Sequence, residues 1–152
     1  MLFDGTRIHC ANAGDSRAIA VKLKYRETGD DNVNKYSMTA YPLSTDHKPE
    51  LPDERDRILK MGGRIDSFHD SQNGDEPIGP QRVWLQDQEI PGLAMSRSLG
   101  DQIAHSVGVS SVPETQTFNL GTEDKFVVIG SDGVFEFLTN DEIARIVLPF
   151  YG

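Results

Sequence analysis

An α+β fold, with antiparallel sheets and helices on their outer faces, is predicted by three features of this 152-residue sequence. Short β-type runs follow one another through tight turns, as hairpin-linked strands do. Two or three segments between them carry helix start and stop signals. Hydrophobic residues make up 37% and charged residues 26%, a balance that suits one globular domain with its own core. No internal repeat and no linker divides the chain.

The elements can be justified in order. "MLFDGTRIHCA" places an Asp4-Gly5 hairpin turn between strand-like residues. "RIHCA" runs into a turn over Asn12 to Asp15, and "RAIAVKL" continues with β-type composition. "ETGDDNVNK", Glu27 to Lys35, is a polar loop without periodicity. "KPELPDERDRILKMGGRI" is a helix: Pro52 suits its first turn, acids follow near the positive end of the dipole, and Gly62-Gly63 suit its C-cap. Ile58, Leu59 and Met61 are expected to form its inward stripe. Residues 66 to 80 read as a second polar loop. In "DKFVVIGSDGVFEFL" the run Phe126 to Ile129 predicts a short buried strand, closed by a turn over Gly130 to Gly133. Thr139 with Glu142 forms a capping box for a last helix through "DEIARIVL".

Charge and cysteine usage narrow the function classes. A net charge of −9 argues against nucleic acid and anionic membranes as partners, since both select basic surfaces. The single cysteine, Cys10, rules out an internal disulfide framework and a thiolate zinc cluster, and it suits a reducing compartment. No apolar run approaches the roughly 18 residues of a membrane span, and the start lacks a signal-peptide pattern. The expected location is intracellular, cytoplasmic or nuclear.

Three site readings compete. "HCANAGDSR" invites a cysteine phosphatase loop, but six residues separate Cys10 from Arg17 where that loop needs five, and strand follows where it needs a helix. Cys10 is therefore expected to be a small buried hydrophobe. "DDNVNK" suggests a calcium loop, but the sixth and twelfth positions hold Lys35 and Tyr41 instead of Gly and a carboxylate. The third reading pairs Asp15 with Asp132, each at a turn beside an apolar strand and each next to a glycine, with Glu136 four residues on. Oxygen-only ligands of this kind select hard cations such as Mg²⁺ or Mn²⁺. The alternative is that Asp15 pairs with Arg17 or caps its own turn, and that Asp132 bonds only within its turn. Spacing alone favours that alternative, because strand-end aspartates are common in turns.

The ordered set "ANAGDSR", "LSTDHKPE", "ERDRILKMGGRI", "RVWL", "GLAMSRSLGD", "VPE" and "FVVIGSDGVFEFL" resembles the metal-dependent type 2C protein serine/threonine phosphatases, from about Thr6 to Val147. The wording is most similar to plant and protist members. The resemblance implies a four-layer α-β-β-α sandwich and hydrolysis of phosphoserine and phosphothreonine in proteins by metal-activated water. It implies two or more Mg²⁺ or Mn²⁺ ions in the complete enzyme. Asp132 matches the aspartate that binds the catalytic metal, and Asp15 the aspartate of a further, weaker metal. Glu136 stands where the family has aspartate, and its longer arm would have to reach the ion. His47 matches a motif position and is read as structural. Arg97 matches "SRSLGD", with a substrate-facing role and a plain ion pair both open.

The departures set further expectations. The family's early phosphate-holding arginine, its "DGHGG" motif and its late "DN" aspartate have no match here. No residue is therefore assigned a catalytic role. Residues 1–152 are expected to be part of a catalytic domain, cut at both ends, inactive alone and prone to self-association through exposed sheet edges. A rival reading is a catalytically dead phosphatase-like module that binds phosphoproteins or regulates a partner, toward which Glu136 leans.

Overall fold

The computed structural model describes residues 1–25, 36–69 and 76–151. The polar loop expected over 27–35, with the rejected calcium pattern inside it, lies outside the described residues. In chain order the strands are β1 Leu2–Asp4, β2 Arg7–Asn12, β3 Arg17–Tyr25, β4 Tyr36–Pro42, β5 Gly63–His69, β6 Pro77–Leu85, β7 Gln88–Leu93, β8 Glu114–Asn119 and β9 Asp124–Gly130. The helices are α1 Pro52–Lys60, α2 Gln102–His105, α3 Asp132–Phe135 and α4 Asn140–Val147, followed by a 3-10 turn Leu148–Phe150. All three sheets are antiparallel, as an α+β fold requires.

The chain forms two compact units, and no single linker separates them. The first takes Met1–Asn12, Ser16–Thr45 and Glu114–Gly152; the second takes Ala13–Asp15 and Asp46–Pro113.

In the first unit, sheets β1-β2-β8 and β4-β3-β9 share a core. Ile8 and Cys10 of β2 meet Ala18 and Ala20 of β3 there, with Leu43. The alternate residues of β3, Ile19 and Val21, point the other way and pack with Phe135, Ile143 and Ala144 of the helices. This explains the continuous run "AIAV": a central strand covered on both faces cannot alternate with polar residues. The unit thus stacks sheet, sheet and helix. The capping box of α4 is present, with Thr139 Oγ1 accepting from the Glu142 N–H and Glu142 Oε2 accepting from the Thr139 N–H.

Two expectations for this unit need correction. The strand β9 is only half-buried, and Ile129 is 63% exposed although it shares the sheet-facing side of Val127, because it stands near the end of its strand, opposite Ala18. The turn expected to close it instead opens α3, with Asp132 as its first residue.

The Tyr41 hydroxyl donates to Asp124 Oδ1 at 2.8 Å. Burial, and then that carboxylate, push the phenol up to about 12. A raised folded value stabilises the neutral phenol, so this contribution is complete below the ordinary tyrosine value of about 10 and is lost as pH rises toward 12. Alkaline melts of Tyr41→Phe should lose that part of the pH dependence; a variant with an unchanged alkaline limb would disprove the assignment.

The second unit folds α1 and α2 against sheet β5-β6-β7 over a core of Ile58, Val83, Ala104, Val107 and Val109. Here the expected stripe of α1 is corrected. Ile58 is fully buried, but Leu59 is 45% and Met61 56% exposed. The residue that shares Ile58's face is Glu54, one turn earlier and buried. The expected loop over 66–80 is also shorter than predicted. The strand β5 runs to His69 and β6 begins at Pro77, with Asp66 opposite Arg82 and Phe68 opposite Ile78. Backbone ladder bonds do not depend on side-chain polarity, so a polar sequence stays in a sheet whose face is open to water.

Candidate metal centre

Each unit presents two of the four residues singled out by the sequence. In the first, Asp132 and Glu136 lie at the start and the C-cap of α3 and are both exposed. The Asp132 Oδ1 accepts from the Gly133 N–H at 2.8 Å, which is the local turn bond that the sequence left open. An open groove of about 490 Å³ beside α3 is lined by Arg17, Phe135, Glu136, Thr139 and Asn140, among others, and Asp132 stands outside it.

In the second unit, the Ala13–Asp15 stretch is held against His47. The His47 N–H donates to the Gly14 carbonyl at 3.0 Å, and His47 Nδ1 lies 3.3 Å from the Gly14 nitrogen. Gly14 has φ +135°, a backbone region that L side chains rarely adopt, so the turn needs glycine there. His47 is 1% exposed, as a structural histidine would be, and its carbonyl accepts from the Ser96 N–H at 2.8 Å.

The partner of Asp15 is Lys48. Its ammonium donates to Asp15 Oδ2 at 2.5 Å, and no described residue bonds Oδ1. The Arg17 partnership weighed from the sequence is not formed: Arg17 donates to Asn140 Oδ1 at 3.0 Å and lies over the Phe135 ring.

Arg97 sits on a buried carboxylate that sequence reasoning missed. Its Nη2 donates to Glu54 Oε1 at 2.6 Å, its Nε to the same oxygen at 3.1 Å, and its Nη1 to the Val112 carbonyl at 2.9 Å. Arg57 adds a two-bond fork to Glu54 at 2.9 and 2.8 Å, and Ser96 Oγ donates at 2.6 Å. Burial pushes the Glu54 carboxyl up, but the bonds from Arg57, Arg97 and Ser96 outweigh it and hold the group far below the carboxylate range. The available signal was "ERDRI": Glu54 and Arg57 are three apart on one helix face, and the glutamate shares the face of Ile58.

The donors fit hard cations in kind. They are carboxylate oxygens; Asp15 already holds a positive charge, and Asp132 is open to water. Among the described residues no three of His, Cys, Asp and Glu gather as a metal site.

The sequence model of "Protein phosphatase 2C" matches residues 1–150. The chain belongs to the protein phosphatase 2C family. It is 38% identical over 143 residues to "Probable protein phosphatase 2C 48" of Oryza sativa subsp. japonica, covering 94% of this chain and 37% of that protein. It is 41% identical over 147 residues to "Probable protein phosphatase 2C 52" of Arabidopsis thaliana, covering 97% and 28% respectively. The chain thus spans about a third of the length of these relatives. The serine-threonine phosphatase 2C of Toxoplasma gondii superposes with a TM-score of 0.76 at 19% identity, over 96% of this chain and 44% of that one, a likeness of fold. The protein phosphatase 2C relatives from plants agree with the resemblance read from the motifs. No helix among the described residues is long and apolar enough to cross a membrane.

Proposed function

We propose that the protein containing this chain is a Mg²⁺/Mn²⁺-dependent phosphatase of phosphoserine and phosphothreonine in proteins, and that this chain contributes Asp132, Asp15 and Glu136 to its metal sites. The observation that carries the reading is the family match over residues 1–150 with the "GSDG" aspartate presented to water at the end of β9. Metal ions held by these carboxylates would supply an activated water and a clamp for the phosphoryl group. The chain's own residues have the supporting tasks. Asp132, at the first position of α3, offers an open carboxylate, and Glu136 follows one turn later. Asp15 is held in place by the Gly14–His47 contact. Arg97 has its Nε and both terminal nitrogens on Glu54 and Val112, which supports positioning of the Ser96–Ser98 stretch. A substrate contact would have to share its Nη1. The four-layer sandwich is part of the same proposal, with which the sheet, sheet and helix of the first unit are compatible.

The test is phosphate release from a phosphoserine peptide by the full-length protein. Turnover should appear with Mn²⁺ and vanish with a chelator. The 152-residue chain alone should release none, because it has no match to the phosphate-holding arginine or to "DGHGG". Robust Mn²⁺-dependent turnover by that chain would disprove the division of labour. Glu136, in place of aspartate, favours a second reading, a binding module without activity. Phosphopeptide binding by the full-length protein with no turnover at any Mn²⁺ concentration would establish it.

A further inference from the structure

The pairing of Asp15 with Lys48 is built into the backbone. The contact between Gly14 and His47 sets the next residue of each segment side by side, 33 positions apart in sequence. The Asp15 side chain is 14% exposed and that of Lys48 32%, so the carboxylate is mostly covered while the lysine stem reaches solvent. The ammonium occupies Oδ2, one of the two oxygens that a cation would use, and no described residue bonds the other. A lysine is a compact charge on a flexible stem, able to swing into water when displaced.

We propose that Lys48 is an internal counter-ion that a divalent cation must displace from Asp15, so that this lysine sets the Mg²⁺ or Mn²⁺ concentration the site requires. Two positive charges compete for one carboxylate, and each weakens the other's hold. With the ammonium seated, the turn keeps a neutralised carboxylate and stays folded without metal. With the ion seated, the lysine is released to solvent. The proposal rests on Asp15 being a metal-holding residue.

The experiment is Mn²⁺ binding to the full-length protein, read by calorimetry and by the rise of melting temperature with Mn²⁺. Lys48→Met, which keeps the apolar stem and removes the charge, should tighten the weaker Mn²⁺ site by about two- to fivefold, the scale of losing a partly exposed ion pair. Lys48→Arg, which keeps the charge, should bind Mn²⁺ like the parent. In an Asp15→Asn background, Lys48→Met should change nothing. Should Lys48→Met fail to fold, Lys48→Gln carries the same expectation. If Asp15→Asn weakens Mn²⁺ binding while neutral residues at 48 leave it unchanged or weaker, the competition is overturned and the metal role of Asp15 stands. If Asp15→Asn leaves the Mn²⁺ curve unchanged, the metal role fails, and the competition with it.

Discussion

Glu54→Gln is expected to destabilise the second unit by about 3–5 kcal/mol, the cost of removing one partner from a buried ion pair. The glutamine keeps the shape and part of the hydrogen bonding. It leaves the Arg57 and Arg97 guanidiniums facing each other without the negative charge between them. Both arginines also hold main-chain carbonyls, Gly108 and Ser96 through Arg57 and Val112 through Arg97, so the two loops on either side of α2 lose their anchors together. Denaturant titration measures the loss as a lower midpoint at constant slope. A change below about 1 kcal/mol would show that the two arginines find other partners. The pH dependence has a defined sign. A carboxyl held below its ordinary range stabilises the fold above that range, and the contribution fades as pH falls below about 4.3, the ordinary glutamate value. Glu54→Gln should therefore flatten the acid limb of the stability curve as well as lower its plateau.

Asp132→Asn is expected to lower the proposed phosphatase activity of the full-length protein by on the order of a thousandfold, because it deletes a charged ligand of the proposed catalytic metal. Its effect on the fold should be small. Asp132 is exposed, its side chain's one bond among the described residues comes from the neighbouring Gly133 N–H, and asparagine can accept that bond equally well. Melting temperature without metal should stay at the parent value, and the stabilisation by Mn²⁺ should shrink. That combination separates a ligand from a turn residue. An active Asp132→Asn enzyme with the parent Mn²⁺ response would return Asp132 to the role of a turn aspartate. Asp15→Asn should be milder, with activity retained and its Mn²⁺ dependence shifted.

Much of the fold was legible because its signals are local. The hairpin at Asp4-Gly5, the strands flanking Gly14, the boundaries of α1 and the Thr139–Glu142 box each depend on residues within about four positions of one another. The buried state of Cys10 followed from its place in a strand-like apolar run. Exposure was harder to read. The burial of Glu54 in place of Leu59 and Met61, the open flank of Ile129, and strands persisting through the polar 66–69 stretch all depend on what packs across from them.

The sequence by itself determined the family, through motifs whose order is covalent, and with it the α+β class and the identity of the carboxylates to test. Only the tertiary structure decided what those side chains touch. Asp15 meets Lys48 instead of Arg17, Arg17 turns to Asn140, and Arg97 closes on Glu54 from 43 positions away. The physical reason is that an ion pair forms between whichever groups the sheet register and loop contacts bring within about 4 Å. Distance along the chain sets no such limit. The opposite charge nearest to Asp15 in sequence, Arg17, is two residues away, but it opens β3 and turns to Asn140 and the Phe135 ring, whereas Asp15 lies in the preceding turn, where the Gly14–His47 contact brings Lys48 to the carboxylate.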